Sequence, residues 1–92
     1  MTESRYEIVV TAPAARPIRE TLPEPVAFAV IDFITGPLLD NPRRVGGALR
    51  NELKGVWSAR RGTYRILYRI DDQRREVIDL RTGHRRDIYR TQ

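Results

Sequence analysis

Arg65 and Arg69 alternate with apolar residues in the run GTYRILYRIDDQRREVIDLRTGHRRDIY, from Gly62 to Tyr89. Tyr64, Ile66, Tyr68 and Ile70 fall on one side of an extended chain, and Thr63, Arg65, Leu67 and Arg69 on the other. Alternation with period two marks a strand with one buried face. The polar face here is built mainly of arginine. Guanidinium is planar, always charged and able to hold two oxygens at once, which suits a phosphate chain. The closing stretch GHRRDIY adds His84, Arg85, Arg86 and Tyr89. His84 is the one side chain with an ordinary pKa near neutrality, so it has the range for acid or base work.

Two neighbouring segments extend this surface. VWSAR, residues 56–60, alternates so that Trp57 and Ala59 face the core while Val56, Ser58 and Arg60 share the arginine side. In the last strand, Glu76 to Thr82, the alternation predicts Ile78 and Leu80 inward and Val77, Asp79 and Arg81 outward. The open face is then lined by Arg60, Arg65, Arg69 and Arg81, with Arg61 at the turn.

Ninety-two residues make one domain with a limited core. The 40% hydrophobic content is enough for a folded globule. No cysteine and one histidine exclude a disulfide framework, a thiolate metal site and a multi-histidine metal site. No metal or other cofactor is expected. The N-terminus carries neither a long apolar run nor a signal-peptide pattern, so a cytoplasmic protein without membrane attachment is expected. A net charge of +5 and a pI near 10.4 favour polyanions at long range. Lys54 is the lone lysine among seventeen basic residues, a ratio that GC-rich coding explains without selection for guanidinium.

The remaining elements must position the arginines. Tyr6 to Thr11 reads as a β-branched strand. Ala12 to Leu22 reads as a helix capped by Thr11, kinked or delayed by Pro17. Pro25 to Thr35 repeats Val26, Ala29, Val30, Phe33 and Ile34 at helical spacing. Gly36-Pro37 and Asp40-Asn41-Pro42 break the chain, and Arg43 to Gly55 is a glycine-containing connection with one helical turn around Leu49 to Leu53. Short turns at Arg61-Gly62 and Asp71 to Arg74 make the last three strands antiparallel neighbours. The expected fold is α+β, in the order β-α-α-β-β-β. A small antiparallel sheet carries two helices on one face and an open, basic, concave face on the other.

This order of elements, the strand ARRGTYRILYRIDD and the ending GHRRDIY resemble the RelE branch of the RelE/ParE superfamily of bacterial toxins. VTAPAAR and GPLLDNPRRVGGALRNELKGVWSARRG extend the resemblance over nearly the whole chain. The resemblance implies a toxin that enters the ribosomal A site of the 30S subunit and cuts messenger RNA there. By motif position it implies catalytic roles for Arg65, Arg85 and Tyr89. Arg60, Arg61, Arg69, Arg81 and His84 are assigned to contact with mRNA or rRNA. Tyr89 either packs the chain end onto the sheet or orients a splayed base, and both readings stand.

The chain departs from the family where the best-studied branch has lysines, at Val56 and Ser58. Proton transfer by those groups does not carry over, and arginine is a poor base at neutral pH. Another branch uses a glutamate and a histidine. His84 corresponds in part, and Glu52 lies nearby without aligning.

The implied partner is a small acidic antitoxin of the RelB or Phd type, which folds on binding and contacts operator DNA on behalf of the pair. Two other readings share the fold: a ParE-like inhibitor of DNA gyrase, and a toxin-fold binding module without catalysis.

Overall fold

A computed structural model describes residues 5–84. The order of elements is β1 (Glu7–Val10), α1 (Ala12–Arg16), a π-helical turn (Pro17–Thr21), α2 (Glu24–Ile34), α3 (Pro37–Asp40), β2 (Gly47–Ala48), a 3-10 turn (Asn51–Leu53), β3 (Trp57–Arg61), β4 (Tyr64–Asp71) and β5 (Glu76–His84). The five strands form one sheet in the order β1-β5-β4-β3-β2. The last three strands are antiparallel neighbours, as the short turns require. The sheet as a whole is mixed, because β1 pairs with β5 in parallel, Glu7 opposite Glu76 through Val10 opposite Asp79.

Local chemistry explains the helical segments. Thr11 caps α1 by accepting from the Ala14 backbone N–H, and its hydroxyl donates to the Asp79 carbonyl at 2.9 Å. One residue thus starts the helix and ties it to β5. Pro17 does not end the helical path but widens it. The Leu22 N–H reaches back five residues to the Pro17 carbonyl at 2.8 Å, the spacing of a π-turn. In α2 the buried stripe is Ala27, Val30, Phe33 and Ile34, with Val26 half-buried and Ala29 exposed. The stripe is rotated slightly from the one the spacing predicts. Gly36-Pro37 opens a single extra helical turn, α3, which buries Leu38 and Leu39.

The helices cover one face of the sheet. Their core joins Val30, Phe33, Ile34, Leu38 and Leu39 to Ala59, Tyr64, Ile66, Tyr68 and Val77. The Tyr68 hydroxyl is buried there and donates to the Pro42 carbonyl at 2.6 Å, and burial pushes its pKa up to about 12. A second, smaller apolar cluster lies on the opposite face, where Leu49, Val56, Leu67 and Leu80 meet. The face expected to be fully open is therefore partly covered, by the connection that carries Leu49.

The alternation expected for β4 holds, and that expected for β5 does not. Val77 and Asp79 are the fully buried residues of β5's N-terminal half, and Leu80 packs with Leu67 on the other face. The register explains the difference. Tyr68 pairs with Asp79 and Leu67 pairs with Arg81, so β5 carries one extra residue, Leu80, in a β-bulge. The inserted residue shifts the parity of the strand, and Arg81 returns to the open face.

Candidate nucleic-acid interface

Directly paired residues of antiparallel strands project to the same side of a sheet. Arg60 on β3 pairs with Arg65 on β4, and Arg65 pairs with Gly83 on β5. The next row is Gly47, Ser58, Leu67 and Arg81. Further along, Arg69 pairs with Ile78, and its Nη1 lies 3.5 Å from the Gly55 carbonyl oxygen. The open face therefore brings together Arg60, Arg65, Arg69 and Arg81 around the apolar patch of Leu67 and Leu80. Arg60, Arg69 and Arg81 are exposed and Arg65 is half-buried.

Arg61 and His84 stand on the other side. Both pair with Tyr64, a core residue, so they belong to the helix-covered face. The Arg61 guanidinium lies 4.4 Å from the centroid of the Phe33 ring, a cation–π contact at the mouth of a hollow lined by Pro25, Val26, Asp32 and Tyr64. The exposed His84 borders a smaller hollow beside the end of β5, lined by Pro17, Thr21 and Leu22 together with Arg81, Thr82 and Gly83. Arg85 and Tyr89, assigned to catalysis by motif, lie outside the described residues.

Val56 and Ser58 are the two positions that the resemblance matches to lysines. Val56 is buried in the Leu67 cluster, so that position is given over to packing. Ser58 lies beside Leu67, between Gly47 and the arginine rows.

Asp79 is the charged group that strict alternation assigns to the wrong side. It is fully buried among core residues, and burial pushes its carboxyl pKa up to about 7, against hydrogen bonds from the Thr82 hydroxyl and the Arg81 backbone N–H that pull it down. Its Oδ1 has no hydrogen-bond partner among the described residues. A second ionic cluster anchors the turn between β4 and β5. Arg43 grips Asp72 with both terminal nitrogens, at 3.2 and 2.7 Å, while the Tyr6 hydroxyl donates to the same carboxylate at 2.6 Å. These bonds hold the Asp72 carboxyl below the usual carboxylate range. Among the described residues no three His, Cys, Asp or Glu side chains are grouped to hold a metal ion.

A mixed sheet with helices packed on one face is a fold shared with RelE toxins. The crystal structure of the toxin–antitoxin complex RelBE2 from Mycobacterium tuberculosis superposes with a TM-score of 0.83 at 48% identity, over 87% of this chain and 98% of that one. The isolated E. coli RelE toxin superposes with a TM-score of 0.71 at 19% identity, over 95% of this chain and 88% of that one, which speaks for the fold alone. The chain belongs to the family described as ParE toxin of type II toxin-antitoxin system, parDE, whose model matches residues 11–89. Two curated relatives, both from Mycobacterium tuberculosis, align over 85 residues and 92% of this chain. Toxin RelE is 47% identical with 87% of its own length covered, and Toxin RelG is 51% identical with 97% covered. The protein is thus a type II toxin of the RelE/ParE superfamily.

Proposed function

We propose that this toxin is a ribosome-dependent endoribonuclease that cuts messenger RNA in the A site and so stops translation. The observation that carries the reading is the gathering of four arginines on the open face, Arg60 directly paired with Arg65, and Arg69 and Arg81 on the same side. Guanidinium-bearing residues on one sheet face suit a phosphate chain, because each can hold two oxygens at once. In the reaction, the ribose 2′-oxygen loses its proton and attacks the adjacent phosphorus, and the 5′-oxygen leaves with a proton. The products are a 2′,3′-cyclic phosphate and a 5′-hydroxyl. Negative charge gathers on the phosphate oxygens in the transition state, where fixed cations contribute most. Arg65 is assigned to that clamp, with Arg85 as its motif-assigned partner. Tyr89 is assigned to the base or the 2′-oxygen. Arg60, Arg69 and Arg81 hold the flanking backbone. No step requires a metal.

His84 and Arg61, on the helix-covered face, are better suited to contact with ribosomal RNA than to the scissile phosphate. The toxin is held inactive by a cognate acidic antitoxin. The similarity to a toxin crystallised as a RelBE2 complex supports such a partner. Action in the cytoplasm follows from a ribosomal target, and no helix among the described residues is long and apolar enough to cross a membrane.

The family description, ParE toxin, favours a second reading, inhibition of DNA gyrase. Controlled expression with primer-extension mapping of mRNA 5′ ends, run beside plasmid supercoiling, separates the two. Codon-phased cuts in translated messages support the nuclease. Relaxed or linearised plasmid without such cuts supports gyrase, and neither signal supports a binding module.

A further inference from the structure

Gly83 sits where a strand would gain from a side chain, and among the described residues neither backbone nor packing asks for a glycine. Its φ lies outside the left-handed region, and a Cβ built on it meets no atom of the described residues within 4 Å. Glycine inside a strand forfeits side-chain packing and costs backbone entropy, and it often marks close approach of another chain. Its strand neighbour is Arg65, and beyond that Arg60. Adjacent strands lie about 4.8 Å apart. The row thus presents two arginines at directly paired positions, followed by main chain that carries no side chain.

We propose that Gly83 is a specificity-determining residue, the floor of a slot that lets the phosphodiester backbone of single-stranded RNA descend to the sheet beside Arg65. The inference rests on the endoribonuclease reading and deepens it. A phosphate seated over Gly83 lies within reach of Arg65 from one side. Arg81, two positions back along β5 and on the same face, reaches it along the strand. A side chain at residue 83 lifts the RNA away from both. A base edge gains nothing from such a floor, whereas a backbone phosphate must approach closely to accept two guanidinium contacts.

The test compares Gly83→Ala, Gly83→Val, Arg65→Ala and Gly47→Ala in the full chain. Gly47 lies on the same face, and its Cβ position is equally open, but it flanks the far side of the sheet. Each purified variant is assayed for single-turnover cleavage of mRNA on programmed ribosomes, with thermal unfolding in parallel. Expected is a loss of about a hundredfold for Gly83→Val, the scale of an ångström-sized misplacement. Gly83→Ala loses less, Gly47→Ala cleaves as wild type, and the Gly83 variants melt no lower than wild type. Full cleavage by Gly83→Val, with Arg65→Ala inactive, overturns the slot and leaves the nuclease reading intact. A wild type that cuts no message overturns both. If Gly83→Val melts early, Gly83→Ala decides: unaltered cleavage removes the proposal.

Discussion

Asp79 and Thr82 are three residues apart on β5, yet they point to the same face, the Thr82 hydroxyl donating to Asp79 Oδ2 at 2.9 Å. On a regular strand an odd separation puts two side chains on opposite sides. The bulge at Leu80 removes that constraint. It buries Asp79 and Thr82 together, lets Thr11 hold the Asp79 carbonyl, and turns Arg81 and Gly83 to the arginine face. A packing irregularity therefore sets which half of β5 serves the core and which half serves the surface.

The buried Asp79 carboxyl makes stability depend on pH in an unusual direction. Its pKa rises from 3.8 in the unfolded chain to about 7 in the fold. Between those values the native state holds more protons than the unfolded state, so stability falls as pH rises and levels off above about 7. Asp79→Asn keeps an acceptor for Thr82 and removes the ionisation. It is expected to flatten the slope between about pH 4 and 7 and to stabilise the protein at about pH 8 by roughly 2–4 kcal/mol, the order implied by about 1.36 kcal/mol per pH unit. Urea midpoints for both proteins across that range decide the matter, and parallel slopes would contradict the assignment.

Much of this architecture is legible in the sequence because β4 obeys a simple rule. Tyr64, Ile66 and Tyr68 are buried and Arg65 and Arg69 turn away, as strict alternation demands. The capping by Thr11 and the disturbance at Pro17 are legible for equally local reasons. The face assignment of β5 is not, since strict alternation of EVIDLRTGH puts Ile78 and Leu80 inward, and the bulge that reverses this leaves no mark in the hydrophobic pattern. Arg61 and His84 follow parities legible in the sequence, Arg61 continuing the Trp57 and Ala59 side and His84 the Ile78 and Leu80 side, and both pair with the core residue Tyr64. Grouping them with the other basic residues by composition is what missed their side. The parallel pairing of β1 with β5 and the two-residue β2 are long-range choices that no local signal records.

Gly46 and Gly47 should answer differently to the same substitution. A Cβ on Gly46 would collide with the Tyr68 hydroxyl and lie 2.7 Å from the Ser58 carbonyl oxygen. The collision displaces the buried bond from Tyr68 to Pro42. Gly46→Ala is expected to cost about 1–3 kcal/mol, the usual range for overpacking, and to lower the melting temperature by roughly 10 °C in a chain of this size. Gly47→Ala meets nothing within 4 Å and should melt as wild type does. Calorimetry on the pair tests this, and equal melting temperatures would refute the close approach.

The Arg43–Asp72–Tyr6 cluster predicts a pH effect of opposite sign to that of Asp79. The Asp72 carboxyl is held below its ordinary range, so its contribution is present above pH 3.8 and is lost as pH falls through the lowered value. Asp72→Asn should leave stability at neutral pH reduced and remove part of the acid-side decline. Both partners are about half exposed, so the effect should shrink in high salt. Unfolding at acid and at neutral pH, each in low and high salt, gives the values needed. A salt-independent loss would show that Tyr6 packing, rather than charge, was removed.

Arg65 and Arg60 share one row but have different expected roles, and kinetics can separate them. Arg65 is half-buried near the start of the central strand β4, flanked by Arg60 and Gly83. A guanidinium held there stabilises the charge that grows on the phosphate, so Arg65→Ala should cut the single-turnover cleavage rate by roughly 10²–10³, as for removal of an oxyanion donor. Arg60 is exposed at the end of β3 and should act mainly on binding. Arg60→Ala should raise the half-saturating ribosome concentration and flatten the salt dependence by about 0.7 for each phosphate no longer neutralised, with the saturated rate little changed. Arg65→Lys keeps the charge but not the bidentate geometry, so it should recover binding more than rate. Equal effects of the two alanine variants on rate would place both guanidiniums at the reacting phosphate, and no effect of either would move the chemistry off this face.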